Sequence, residues 1–133
     1  MKKVFISVPM RGRTKENIEY SIKKMKDIAR TIIEDEDIEF INTIVEEKPP
    51  YTTQKEAVWY LGKAIELLSQ VDVLVAPQTD YHHYAPGCFI EKEVASRYGI
   101  TRILIPEDWV YPQSERELEL DCSDAVPQEV AQE

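Results

Sequence analysis

Residues 71–77, VDVLVAP, give the strongest strand signal in the chain, because the run is apolar except for one aspartate. Three further short apolar runs rich in β-branched residues occupy 3–8, 38–44 and 101–106. Strands buried on both faces have this composition, and they occur mainly in parallel sheets. Helical patterns separate the runs. The sequence therefore predicts an α/β fold in which a parallel sheet is flanked by helices.

Two amphipathic helices are predicted before the third strand. The first has Thr14 as its N-cap and the second has Thr53, since a threonine oxygen can accept from a backbone N–H of the first turn. Apolar residues recur at helical spacing in the first helix, with charged residues between them: Ile18, Ile22, Met25, Ala29 and Ile32. The corresponding stripe of the second helix is Ala57, Leu61, Ile65 and Leu68.

The net charge of −9 is concentrated at one end of the chain. Residues 107–133 hold nine acidic residues and one arginine, a net charge of −8, which leaves −1 for the first 106 residues. A nearly neutral body offers no basic surface to duplex nucleic acid or to an anionic membrane. We predict one α/β domain at 1–108, followed at 109–133 by an acidic segment that is partly mobile or packs on a neighbouring subunit.

The two cysteines show no regular spacing. They predict thiols in a reducing compartment and not a disulfide framework or a zinc site. No run approaches the roughly 18 apolar residues that a membrane span requires, and Ser7 and Pro9 interrupt the first apolar stretch. The sequence therefore predicts a cytoplasmic protein that needs no metal or other cofactor.

Ligands of open parallel sheets bind beyond the carboxyl ends of the strands. After the first strand, Arg11 and Arg13 flank Gly12 just before a helix. Backbone amides at a helix start and two guanidinium groups suit a phosphate or another anion, whereas the alternative is a solvated basic turn. The phosphate-binding loop pattern G-x-x-x-x-G-K-[ST] is absent from the sequence.

The loop after the third strand contains Asp80, His82, His83 and Tyr84. Two adjacent histidines without a further ligand at helical spacing do not predict a metal site. A tyrosine stacked on an aromatic ring is one interpretation of this loop, and an exposed polar loop is the other.

Glu91 lies one turn into a third predicted helix, which begins at Pro86-Gly87 and ends at Gly99. Ile90, Val94 and Ala95 are predicted to face inward, which places Glu91 beside the apolar face and lets it project toward the preceding loop. Glu93 points about 200° away around the helix, so the two acids do not form a pair. The alternative is a surface glutamate that the helix dipole favours near the N-terminus.

Three segments in succession, VFISVPMRG, SQVDVLVAP and PGCFIEKEVASRYGITRILIP, resemble the nucleoside 2-deoxyribosyltransferase-like superfamily and the related 2′-deoxynucleoside 5′-phosphate N-hydrolases. The resemblance covers residues 3–106. Its fingerprint falls on Gly87, Cys88, Glu91 and Gly99. The resemblance implies a Rossmann-like deoxyribosyltransferase fold, a nucleoside or nucleotide as the small-molecule partner, and assembly into a homo-oligomer.

In this family a glutamate attacks the anomeric carbon of an N-glycoside, expels the base and forms a sugar ester that a second base or water resolves. The resemblance thus implies that Glu91 is the nucleophile, and Asp80 is the predicted second catalytic residue. The predicted substrate-binding residues are Ser7, Met10, Arg11, Gly12, Arg13, Tyr84, Gly87 and Cys88.

Three positions depart from the family pattern. Phe5 occupies the position at which the family has a tyrosine that orients the glutamate. Ala85 occupies the position of an aspartate that precedes the glycine turn, and Ala64 falls near the position of the family's acid that helps to protonate the base. Residues of the loop at 80–84 would have to supply these groups. The alternative prediction is therefore a non-catalytic protein of the same fold that binds a nucleotide-like ligand.

Overall fold

The computed structural model describes residues 1–10, 12–34, 37–41, 47–78 and 86–115 of the 133-residue chain. Strands and helices alternate in these residues in the order β1 (Lys2–Ile6), α1 (Lys15–Ile32), β2 (Ile38–Ile41), α2 (Glu56–Leu68), β3 (Val73–Pro77), α3 (Pro86–Arg97), β4 (Thr101–Ile105) and α4 (Glu107–Val110). The strands pair in parallel in the order β2-β1-β3-β4. The predicted α/β fold is confirmed.

The strand order fixes where the winding direction changes. From the central strand β1 the chain moves to β2 on one side, and β3 lies on the other side of β1 and leads on to β4. The register pairs Val4 with Phe40 of β2 and with Val73 of β3. The carboxyl ends of β1 and β3 therefore lie side by side at a topological switch point, where open α/β sheets bind their ligands.

Alternate residues of β1 pack into opposite layers of the molecule. Val4 and Ile6 join the buried cluster on the side of α1 and α4, together with Met25 and Ala29. Phe5 points to the other side, where the buried residues of α2 and α3 pack around it: Ala64, Leu68 and Ala95. Every residue of β3 is buried, as its apolar sequence predicts.

The N-terminus of α1 agrees with the sequence, because the Oγ1 of Thr14 accepts a hydrogen bond from the N–H of Asn17 at 3.1 Å. The predicted apolar stripe is wrong at Ile32, which is 53% exposed at the last residue of the helix. The helix start predicted at Thr53 is also wrong. Its Oγ1 accepts from the N–H of Lys55 at 3.0 Å in a short turn, and α2 begins at Glu56.

Residues 109–115 belong to the packed domain. Val110 and Tyr111 lie in the core cluster beside α1, and Glu115 is buried. These side chains complete the layer of α1, although they lie beyond residue 108, where the sequence predicts the end of the α/β domain. The rest of the predicted acidic segment, 116–133, lies outside the described residues. Within the part of the chain that the structure describes, no helix has both the length and the apolar character needed to cross a membrane.

Candidate functional site

Helix α3 presents a partly polar face to the sheet. Its buried residues follow one another at spacings of three, one and three, which places them on one side of the helix: Cys88, Glu91, Lys92 and Ala95. Ile90 is 37% exposed, so the prediction that it packs inward is wrong. Glu91 therefore lies on the inward face itself.

Glu91 reaches the end of β1, where it meets Ser7. The Oγ of Ser7 donates a hydrogen bond of 2.6 Å to Oε1 of Glu91. Ser7 is 1% exposed and Glu91 is 9% exposed. The N–H of Ser7 also donates to the carbonyl oxygen of Val75 at 2.8 Å, which fixes the serine to β3. The structure thus brings a hydroxyl and a carboxyl group together at the switch point of the sheet.

Burial raises the pKa of the Glu91 carboxyl group from its ordinary value of 4.5 to about 7, and the hydrogen bond from Ser7 opposes part of this rise. At neutral pH both the protonated and the ionised form are therefore populated. A carboxyl group with such a pKa can exchange a proton near neutrality, and its ionised form can act as a nucleophile.

Lys92 brings a positive charge to the neighbouring strand end. Its side chain is buried, and its Nζ donates to the carbonyl oxygen of Pro77, the last residue of β3, at 3.3 Å. Helix α3 thus places a carboxyl group at the end of β1 and an ammonium group at the end of β3. Lys92 is not among the residues that the sequence predicted for the site, although the spacing C-x-x-E-K-x-x-A contains the inward stripe.

Gly87 and Cys88 lie in the first turn of α3. The thiol of Cys88 is buried one turn before Glu91, on the same face of the helix. A Cβ atom added at Gly87 would meet only the Cδ1 of Leu61, at the ordinary contact distance of 4.0 Å. Packing within the described residues therefore does not require a glycine at 87.

Arg13 does not join this carboxyl site. Its side chain is 0% exposed, and its Nε and Nη2 donate to the two carboxylate oxygens of Glu115 at 2.6 and 2.8 Å. The guanidinium group also lies over the ring of Tyr111, 4.8 Å from its centroid. The sequence predicted Arg13 as an anion ligand, but the structure commits it to an internal ion pair.

The remaining predicted residues fall in two regions. Met10 and Gly12 lie in the turn after β1, which the N–H of Arg13 closes by donating to the carbonyl oxygen of Met10 at 3.1 Å. Gly12 has a φ of +74°, so a side chain at this position would strain the backbone. Arg11, Asp80 and Tyr84 lie outside the described residues, as do both histidines. In the described ranges no group of three or more His, Cys, Asp or Glu side chains is placed to hold a metal ion.

An open groove of about 510 Å³ lies elsewhere, on the outer side of α2. Trp59, Gly62 and Lys63 line it, and these positions point away from the buried Ala64 and Leu68. Lys63 is already paired with Glu47 and Glu66, at 3.6 and 3.9 Å. The size suits a small ligand, but the groove lacks a buried reactive group. We therefore place the candidate site at Ser7 and Glu91.

The fold and this site define an open parallel α/β protein with a buried carboxyl group at its switch point. No protein-family model and no curated protein matches the sequence. The crystal structure of a conserved protein from Enterococcus faecalis V583 is similar, with a TM-score of 0.57 and 19% sequence identity over 96% of this chain and 77% of that one. At this identity the likeness shows the fold alone.

Proposed function

We propose that the protein cleaves or transfers at the N-glycosidic bond of a (deoxy)nucleoside or a nucleoside 5′-phosphate, with Glu91 as the nucleophile. The observation that carries this proposal is the 2.6 Å hydrogen bond between Ser7 and Glu91 at the switch point of the sheet. The deoxyribosyltransferase-like order of Gly87, Cys88 and Glu91 along α3 supports it.

In the proposed reaction the ionised Glu91 attacks the anomeric carbon, and a C–O ester bond forms as the C–N bond to the base breaks. The bonding electron pair leaves with the base, which takes up a proton. Water or a second base then attacks the same carbon, loses a proton and releases the Glu91 carboxylate. The candidate acids Asp80, His82, His83 and Tyr84 lie outside the described residues.

Ser7 takes a different role in this proposal from the one that the sequence predicted. The family places an orienting tyrosine at the position of Phe5, whose ring is buried in the apolar layer formed with α2 and α3. Ser7 lies two residues further along the chain, and its hydroxyl bonds to Glu91. We propose that this serine, and not an aromatic hydroxyl, orients the nucleophile.

A chromatographic screen of nucleosides and nucleoside 5′-monophosphates for released base, with and without an acceptor base, tests the proposal. Release that disappears in Glu91→Gln supports it, and dependence on the acceptor separates transfer from hydrolysis. Recovery of every compound unchanged would contradict it.

Arg11 is the proposed cation for a 5′-phosphate, because Arg13 is paired with Glu115.

We expect the rate of base release to rise with pH and to level off above a midpoint of about 7, because only the ionised form of Glu91 can attack and burial raises its pKa to about 7. The measurement is kcat/KM between pH 5.5 and 8.5. In Ser7→Ala the midpoint should move upward, since the hydrogen bond that lowers the Glu91 pKa is lost. A profile that is flat in this range would exclude the titration of Glu91 from the rate.

Gly87→Ala is expected to leave the melting temperature unchanged or higher, because the added Cβ has room and alanine favours the helix by up to about 1 kcal/mol. It should nevertheless weaken nucleotide binding by about tenfold, or about 1.4 kcal/mol, if the ligand approaches the start of α3. Calorimetry with deoxynucleoside 5′-monophosphates measures both proteins.

Gly62→Ala is the matched control for this change. Gly62 is also a helical glycine with open space around it, but it lies in the groove of α2. We expect it to leave binding unchanged. Weaker binding in Gly62→Ala together with normal binding in Gly87→Ala would show that the ligand binds in the groove of α2 and not at the start of α3.

The second candidate function is a non-catalytic protein that binds a nucleotide-like ligand in the same site. Phe5 and Ala64 favour it, because both helper positions are filled by side chains without an acidic or hydroxyl group, and both are buried in an apolar cluster. A ligand that binds tightly and is recovered intact after long incubation supports this function. Slow base release that depends on Glu91 would exclude it.

A further inference from the structure

The turn that follows Ser7 is held by one buried side chain. Nη1 of Arg13 donates to the carbonyl oxygen of Pro9 at 2.8 Å, so the guanidinium group folds back onto its own turn. Nη2 donates to the carbonyl oxygen of Asn17 at 3.0 Å and to the Oγ of Ser21 at 2.7 Å. Arg13 therefore joins the turn to the first two turns of α1.

Glu115 fixes the direction of this guanidinium group. Two parallel hydrogen bonds to its carboxylate set both the distance and the plane of Arg13, which is the geometry that gives arginine–carboxylate pairs their specificity. Glu115 itself is held in place, because its N–H donates to the carbonyl oxygen of Pro112 at 3.1 Å. The Oγ of Ser21 also donates to the carbonyl oxygen of Val110 at 2.7 Å, which joins α1 to the segment that precedes Glu115.

The same turn leads directly to the candidate site. Pro9, whose carbonyl oxygen accepts from Arg13, lies two residues after Ser7, and the intervening Val8 is buried in the core cluster. Connecting segments of this kind are mobile unless contacts fix them. We propose that Glu115 is a positioning residue for the Ser7–Glu91 site: through Arg13 it holds Pro9, and thereby the chain that leaves Ser7 and borders the approach to the site.

The first test measures whether Glu115 and Ser7 are coupled, and it needs no ligand. The free energies of unfolding of Ser7→Ala, Glu115→Gln and the double variant are compared in urea. Substitutions at independent sites add, whereas residues in one network do not. We expect the double variant to lose less stability than the two single variants together, because a loosened turn already weakens the bond from Ser7 to Glu91.

Leu68→Val paired with Ser7→Ala is the control for this cycle. Leu68 is buried at the C-terminal end of α2, next to the chain that enters β3. It therefore lies near the amino ends of the strands, whereas Ser7 lies at their carboxyl ends. Its effect should add to that of Ser7→Ala. Additive effects for Glu115→Gln as well would overturn the inference.

The second test rests on the proposed function. In the presence of the deoxynucleoside 5′-monophosphate that is best cleaved, Glu115→Gln should lower kcat/KM by at least about tenfold, because small displacements at an active site cost that much or more. A Leu68 variant matched to it in melting temperature should keep normal values. Equal losses in both variants would reduce Glu115 to a stabilising residue. A wild-type protein that releases no base would refute the proposed function, and the coupling measurement would still decide the role of Glu115.

Discussion

Replacing Glu91 with glutamine is expected to lower base release by more than about a hundredfold, because the amide keeps the shape of the side chain but cannot form a sugar ester. The same change should raise the free energy of unfolding at pH 8 by about 3 kcal/mol. Burial raises the pKa of Glu91 from 4.5 to about 7, and each pKa unit corresponds to about 1.4 kcal/mol. Base release and urea unfolding measure the two effects.

The pH dependence of this gain in stability has a definite sign. Below pH 4.5 Glu91 is protonated in the folded and the unfolded chain, so ionisation contributes nothing to the difference between wild type and variant. Between pH 4.5 and about 7 the unfolded chain ionises first, and the wild type loses stability as the pH rises. Above about pH 7 the loss of stability stays constant. Glu91→Gln has no carboxyl group at this position, so its stability does not show this loss at any pH.

Glu93→Gln is the matched control, since Glu93 lies two residues away in the same helix and pairs with Arg97 at the surface, at 3.1 Å. We expect it to change neither base release nor the pH dependence of stability. If Glu91→Gln and wild type lose the same stability between pH 4.5 and pH 8, burial does not raise the pKa of the Glu91 carboxyl group. If the variant still releases base at the wild-type rate, Glu91 is not the nucleophile.

The second large effect is expected at Glu115. Glu115→Ala should lower the free energy of unfolding by about 3–5 kcal/mol, because it leaves the fully buried guanidinium group of Arg13 without its ion-pair partner. Urea unfolding at pH 7 measures the loss. A double variant, Arg13→Met with Glu115→Leu, should recover much of it, since replacing both members of a buried pair removes the unmatched charge.

The exposed pair of Glu93 and Arg97 again supplies the comparison. Both of its side chains reach solvent, so Glu93→Ala should cost no more than about 1 kcal/mol. A loss of this small size in Glu115→Ala would show that water replaces the carboxylate readily, and that the pair with Arg13 does not hold the turn after β1.

The architecture could be predicted because its signals are local in the sequence. The apolar run of β3, the Thr14 cap and the left-handed Gly99, whose φ is +76°, each depend on a few neighbouring residues. Where a local rule allowed more than one outcome, it failed: Thr53 can accept a hydrogen bond in a turn as readily as at a helix start. Helix α2 begins instead at Glu56, and among the described residues no side chain caps its first turn.

The candidate site could be predicted only in part. The resemblance pointed to Glu91, but hydrophobic periodicity placed it beside the inward face because a buried acid and a buried lysine read as surface residues. The partners were not predictable by pattern, since Ser7 and Glu91 are 84 residues apart and Arg13 and Glu115 are 102 residues apart. The local pattern therefore predicted that Arg13 binds an anionic ligand, although the carboxylate of Glu115 binds it within the chain.

The polar inward face of α3 affects the local opening of the molecule. The buried residues of α1 are Ser21, Met25 and Ala29, none of them ionisable, whereas half of the buried residues of α3 carry a carboxyl or an amino group. Elements with few buried apolar contacts open at lower free energy than the rest of the fold. Ionisation of Glu91 favours the opened helix further, because water solvates the carboxylate there. A rise in pH through about 7 is therefore expected to increase the fraction of molecules in which α3 is open and Glu91 is exposed to solvent.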